Sequence, residues 1–277
     1  MSIPDSLRHS RERRYPLIAA HRGTPGGIIP PNTVGAARAA IDSGADIIEL
    51  DVARSRDGVY YAFHDTYEPR LVATTRQLTT LTSTEVDELV YWEHEGKNCG
   101  HIERFADVLG ALPGVLVNVD RSYRHWGDGF LDELAAWGDP QTMLVKCLAH
   151  EDQLAAFAAC RVDFPFMGVA HSDAEVERYL TLGDPRLVGI EIVAGSPDDP
   201  MLASSRVEQI HDAGLAIWLN AINLENGRPL AGGADDRVSL AGHPEDGWGR
   251  LADWGADIIQ TDWPWLAKQF FLRNPRR

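Results

Sequence analysis

From residue 102 to the end, helix-forming segments and short apolar runs alternate without a break. Helices are expected at 102–111, 129–137, 150–160, 173–182, 199–213, 244–254 and 263–272. Strands are expected between them at 115–119, 142–147, 165–169, 187–193, 215–219 and 257–261. Such alternation calls for a parallel sheet sheathed in helices. Upstream, Leu17–Ala20 and the run IIELDV (47–52) add two strands, with an Ala-rich helix at 33–43 between them. Asn32 is the expected N-cap of that helix and Gly44 its C′ residue. One more run, residues 59–63, follows Asp57-Gly58. Two residues cannot make a parallel crossover, which takes a dozen or more, so this run returns antiparallel as a hairpin arm. Without it eight parallel strands remain, and eight βα units close as a TIM (β/α)8 barrel, a size that suits 277 residues.

Barrel chemistry sits at the C-terminal ends of the strands. His21 ends the run LIAAH there, followed by Arg22-Gly23. Side chains alternate faces along a strand, so Glu49 and Asp51 point the same way. A two-residue Asp57-Gly58 turn sets Arg56 against Val59 and His64 opposite Asp51, within one side chain's reach. Asp120 leaves the strand at 115–119, and Lys146 lies near the end of the next. GADIIELD at 44–51 recurs as GADIIQTD at 255–262, matching Asp262 with Asp51 and Gln260 with Glu49. Because Trp263-Pro264 follows it, Asp262 is expected to cap the last helix. Trp126, Trp218 and Trp263 fall at or near strand ends and are candidates for shaping a pocket.

HRG at 21–23, PPNT at 30–33, GAD at 44–46, IELDV at 48–52, DG at 57–58 and HD at 64–65 occur in that order. Together they resemble the glycerophosphodiester phosphodiesterase family. The resemblance implies a metal-dependent phosphodiesterase that hydrolyses a glycerophosphodiester-like small diester to an alcohol and a phosphomonoester. It implies His21 and His64 as the proton-transfer pair and Glu49, Asp51 and Asp120 as metal ligands. It further implies Arg22 at the phosphate and Trp218 at the substrate. The family has Glu at the place of Asp120 and Lys two residues later, where this chain has Ser122. Lys146, from the neighbouring strand, is the candidate to supply that cation. Pro31 stands where the family carries Glu. An Asp at 120 is similar to the sphingomyelinase-type phospholipase D toxins. A lyase giving a cyclic phosphate is therefore one alternative, and a non-catalytic barrel relative another.

Three carboxylates suit a hard cation, Mg²⁺ or Ca²⁺, whereas zinc favours His and Cys. An imidazole pKa near 6.5 serves both proton duties at neutral pH. The formal charge of −15 argues against nucleic acid and anionic membranes as partners. It still allows a small phosphate, because a local cation reverses the field. Cys99, Cys147 and Cys160 show no paired spacing and read as free thiols of a reducing compartment. No apolar leader or membrane-spanning run is present, so a cytoplasmic location is expected. Residues 1–16 read as a polar surface arm and 17–277 as the barrel. A small insertion at about 66–100 and a Gly-rich loop at 220–243 are expected over its mouth. None of these features speaks to oligomeric state.

Overall fold

The computed structural model describes residues 2–10, 15–24, 26, 28–92 and 98–275. Its strands are β1 (Leu17–Ala20), β2 (Ile47–Arg54), β3 (Tyr60–Ala62), β4 (Val90–Trp92), β5 (Asn98–His101) and β6 (Val117–Asp120). They continue as β7 (Met143–Leu148), β8 (Phe166–Ala170), β9 (Leu187–Ile192), β10 (Ala216–Asn220) and β11 (Ile258–Thr261). Setting aside β3, β4 and β5, the other eight pair in parallel, and β1 closes the ring against both β2 and β11. This is the TIM barrel that the alternation requires.

The two-residue period of the strands explains why one end of the barrel is greasy and the other chemical. Outward positions such as Ile18, Ile48, Val117, Val145 and Ile217 pack in the large core that the helices cover. Inward positions begin apolar at the N-terminal end: Ala19, Ile47, Leu144, Met167, Ala216 and Ile258 share one buried cluster. Two residues further along the same strands the inward side chain turns polar, as Glu49, Lys146 and Gln260, all buried. The site is thus built into the upper layer of a continuous barrel core.

The first residues are not a surface arm. Ile3–Ser10 forms helix α1, and Ile3 and Leu7 are buried in the inner cluster with Leu17 and Trp218. Residues i and i+4 share a helix face, so these two suffice to seat α1 in the bottom of the barrel. The rest of the expected arm includes residues 11–14, which lie outside those described.

Helix α2 (Val34–Asp42) starts one residue later than Asn32 would set it. Thr33 is its N-cap, accepting from Ala36 N at 3.1 Å. The hairpin is also shifted by one residue. Val52 pairs with Ala62 and Arg54 with Tyr60, so Phe63, not His64, stands opposite Asp51. The loop has three residues rather than two: Ser55 N donates to Val59 O, and Gly58 takes the left-handed position at φ 95°. Glycine at the end of a three-residue loop is the other common hairpin closure.

The insertion carries its own small core rather than bare loop. Phe63, Val72, Leu78, Leu81, Val86 and Tyr91 pack under short helical turns and the β4–β5 ribbon. Residues 93–97 of it lie outside those described. The loop after β10 contains a short helix, Asp236–Leu240, and is pinned to the exit of β9 by a parallel bridge between Ala194 and Ala231. Among the described residues no helix is long and apolar enough to cross a membrane.

Candidate active site

Parallel register places Asp51 of β2 beside Asp120 of β6, with Glu49 one inward step below. Ligand atoms of these three carboxylates lie within 4.8 Å of one another. Glu49 accepts from Arg22 N at 2.9 Å and Gln260 Nε2 at 3.2 Å. Asn32 clamps Asp51 from both sides: its Nδ2 donates to Asp51 Oδ2 at 3.0 Å, and its Oδ1 accepts from Asp51 N at 3.0 Å. Burial, then the Asp51 charge beside it, pushes Glu49 up to about 8. Asp51 is held below its usual range, since Arg22, His64 and Asn32 outweigh its burial. Three hard-oxygen ligands this close, one of them driven towards protonation by burial and the Asp51 charge, fit a divalent cation.

His21 and His64 meet the same cavity from two directions. His21 Nδ1 lies 2.7 Å from Asp262 Oδ1, which fixes the Nδ1–H tautomer and leaves Nε2 for the cavity. Its burial is outweighed by Asp262, and its pKa is raised. His64 Nδ1 donates to the carbonyl of Asp65 at 2.6 Å, and its ring meets Tyr67 edge-on at 4.6 Å. Burial, with the charges of Arg22 and Arg121, lowers its pKa against the pull of Asp51. Although the register is shifted, His64 lies beyond the end of β3 at Ala62 and still lines the cavity.

Backbone strain is concentrated around this rim. Arg22 (φ 52°), Thr24 (58°), Asn32 (60°), Thr66 (79°) and Arg121 (60°) all take left-handed conformations. Each costs a non-glycine residue about 1–2 kcal/mol. The side chains they aim explain the cost: Arg22 lies 3.1 Å from Asp51 and 4.4 Å above the Tyr67 ring.

The cavity has a volume of about 290 Å³. Its lining includes the carboxylates, both His, Arg22 and Arg121, together with an aliphatic set, Leu148, Val169, Val193, Ile222, Leu224 and Leu230, beside His171 and Arg228. The loop after β10 contributes to that aliphatic set, and an ion pair between Arg70 of the insertion and Glu225 spans the mouth.

Lys146 lies at the cavity floor but is already engaged. Its Nζ is 3.1 Å from Asp120 Oδ2, 2.9 Å from Glu191 Oε2 and 4.9 Å above the Trp218 ring. Trp218 is fully buried, lines no part of the cavity, donates to Asn220 and Gln260 and lies under Lys146. The sequence resemblance implied a place at the substrate, whereas the side chain stands behind the cavity wall. Trp126 is likewise buried in the outer core, while Trp263 stands half exposed at the rim.

Asp262 is not a helix cap, since it makes no capping bond to the helix Pro264–Arg273 and turns to His21 instead. Its own backbone N–H donates to Asp236 Oδ2 at 2.9 Å, and Thr261 Oγ1 donates to Asp236 Oδ1 at 2.6 Å. Asp236, Asn32, Asp65 and Arg121 escape sequence reasoning. Asn32 and Asp65 left a signal as members of the PPNT and HD motifs, and Asn tolerates the left-handed region better than most residues.

Because the folded-state pKa of His21 lies above 6.5, its protonated form contributes stability that is fully present below pH 6.5. That contribution is lost as pH rises through the folded value. In Asp262→Asn the partner charge is gone and burial dominates, so the pKa of His21 should fall below 6.5. A ¹⁵N NMR titration of the ring in both proteins checks this; an unchanged midpoint would remove Asp262 from the account.

Residues 21–265 match the family model described as the glycerophosphoryl diester phosphodiesterase family. Over 67 residues the chain is 37% identical to glycerophosphodiester phosphodiesterase GDPD6 of Arabidopsis thaliana, covering 23% of this chain and 18% of that protein. Over 91 residues it is 36% identical to the uncharacterized protein YqiK of Bacillus subtilis, covering 33% of this chain and 35% of that one. The chain thus matches well under half the length of these curated relatives. Among solved structures, a glycerophosphoryl diester phosphodiesterase from Parabacteroides distasonis superposes with a TM-score of 0.72 at 16% identity, covering 99% of this chain and 93% of that one. An Oleispira antarctica phosphodiesterase in complex with the product sn-glycerol-3-phosphate gives 0.67 at 19% identity, covering 92% and 96%.

Proposed function

Since this chain belongs to the glycerophosphoryl diester phosphodiesterase family, we propose that it hydrolyses a small phosphodiester of the glycerophosphodiester kind with the help of one divalent cation. The observation that carries this reading is the meeting of two His, each tied through Nδ1, with three converging carboxylates in one cavity. Glu49, Asp51 and Asp120 would hold Mg²⁺ or Ca²⁺. When bound, the cation offsets charge that builds on the phosphoryl oxygens. Arg22 orients the phosphoryl group and shares that duty. Nε2 of one His takes a proton from the attacking water as its oxygen bonds to phosphorus, and Nε2 of the other gives a proton to the leaving alkoxide as its P–O bond breaks. The ester's alcohol then lies along the aliphatic wall. The product found in the Oleispira antarctica complex supports a glycerol phosphate as the released monoester.

A panel of diesters, including glycerophosphodiesters with charged and with alkyl alcohols, should show turnover with Mg²⁺ or Ca²⁺ and none in EDTA. Phosphorus NMR should find a free monoester, and accumulation of a cyclic phosphate would make the protein a lyase instead. The same ion should raise Tm, since a ligand at a hundred times its Kd adds about 2.7 kcal/mol. Glu49→Gln and Asp51→Asn should abolish that rise. An equal rise in both variants would place the ion elsewhere.

A further inference from the structure

We propose that Arg121 is a second guanidinium for the substrate's phosphoryl group, facing it together with Arg22; this rests on the phosphodiesterase reading above. Arg121 directly follows Asp120, and its left-handed backbone, with N–H donating to Asp120 Oδ1 at 2.6 Å, turns the side chain back over the barrel mouth. The side chain is only 16% exposed and lines the cavity with His21, His64 and Arg22. Its Nη2 donates to Asp65, but its Nε–H is buried with no acceptor, whereas the Nε of Arg22 lies 3.1 Å from Asp51 Oδ2. Buried donors are nearly always satisfied, so the orphaned Nε–H of Arg121 on this cavity marks the place of a missing acceptor. Phosphate is the acceptor that a planar guanidinium matches best.

Charge supports the assignment. Asp65 is shared between Arg121 and Arg124, so one carboxylate faces two guanidiniums and a net positive charge remains. Two other candidates near Asp120 are taken. Lys146 is spent on Asp120 and Glu191. Ser122 is buried, donating to Val119 O and accepting from Trp126 Nε1.

The rival account is that Arg121 only holds Asp65, and through it the exit of the hairpin. Inorganic phosphate binding, read by calorimetry and phosphorus NMR with and without Mg²⁺, separates the two without needing turnover. Arg121→Gly is the clean deletion, because glycine accepts φ 60° without strain. It should lose about 10- to 150-fold in phosphate affinity, the worth of a charged hydrogen bond. Millimolar guanidinium should restore part of the loss. Arg121→Lys, which keeps a point charge without the planar fork, should fall between. Asp65→Asn should retain phosphate binding. Unchanged affinity in Arg121→Gly and Arg121→Lys, or an equal loss in Asp65→Asn, would overturn the proposal. If phosphate affinity falls as expected while no diester is ever hydrolysed, the anion site stands and the hydrolase reading falls.

Discussion

His21→Ala and His64→Ala should each lower turnover by about 10²–10⁴-fold, the usual worth of positioned acid–base catalysis. The expectation rests on geometry. Each ring is fixed through Nδ1, one by Asp262 and one by the Asp65 carbonyl, and both line the cavity that holds the carboxylates. Neither is assigned as a metal ligand, so metal affinity should fall little. The double variant should lose less than the product of the single losses, because groups acting as a unit are not additive. A purely structural role for either ring predicts the reverse: lower Tm with turnover per folded molecule intact. Steady-state kinetics on both single variants, corrected for folded fraction, decides the matter. Near-wild-type turnover in one of them removes that His from the mechanism.

What could be read in the chain beforehand follows the range of the forces involved. The eight-strand count comes from hydrophobic period and from a turn too short to cross over, both local, and the closed ring agrees with it. The shared face of Glu49 and Asp51 follows from strand geometry alone. The hairpin register did not follow, because Asp57-Gly58 fits a two-residue turn as well as the end of a three-residue one. Choosing between them depends on which side of the arm Phe63 must bury. Asp262 before Trp263-Pro264 carries a helix-start signal indistinguishable from that of a true cap. It turns to His21 only because β1 and β11 are neighbours. The N-terminal segment shows only Ile3 and Leu7 as apolar anchors, and their burial needs an open barrel bottom that no local pattern reports. Arg121 is hidden for a different reason, since nothing in its chemistry predicts a left-handed backbone.

Lys146→Met should destabilise the fold by about 3–5 kcal/mol, the cost of leaving a buried partner charge uncompensated. In a domain of this size that is a fall in Tm of about 10 °C. Lys146 is 2% exposed and bridges Asp120 of the neighbouring β6 and Glu191 of β9, two strands away on the other side. Burial alone would lower its pKa, but Asp120, Glu191 and Glu49 together raise it, so it stays charged at any pH the fold survives. Methionine fills the volume over Trp218 yet leaves both acids without their cation. Adding Glu191→Gln to Lys146→Met should therefore recover part of the loss, a coupling that a double-mutant cycle measures directly. A divalent cation should also raise the Tm of Lys146→Met more than that of the wild type, because Asp120 would then depend on the ion alone. A phosphate-binding Lys146 predicts another pattern: near-normal Tm, no recovery in the double variant, and a phosphate affinity reduced as in Arg121→Gly. Denaturant unfolding of the two single variants and the double variant, with and without Mg²⁺, tells the two roles apart.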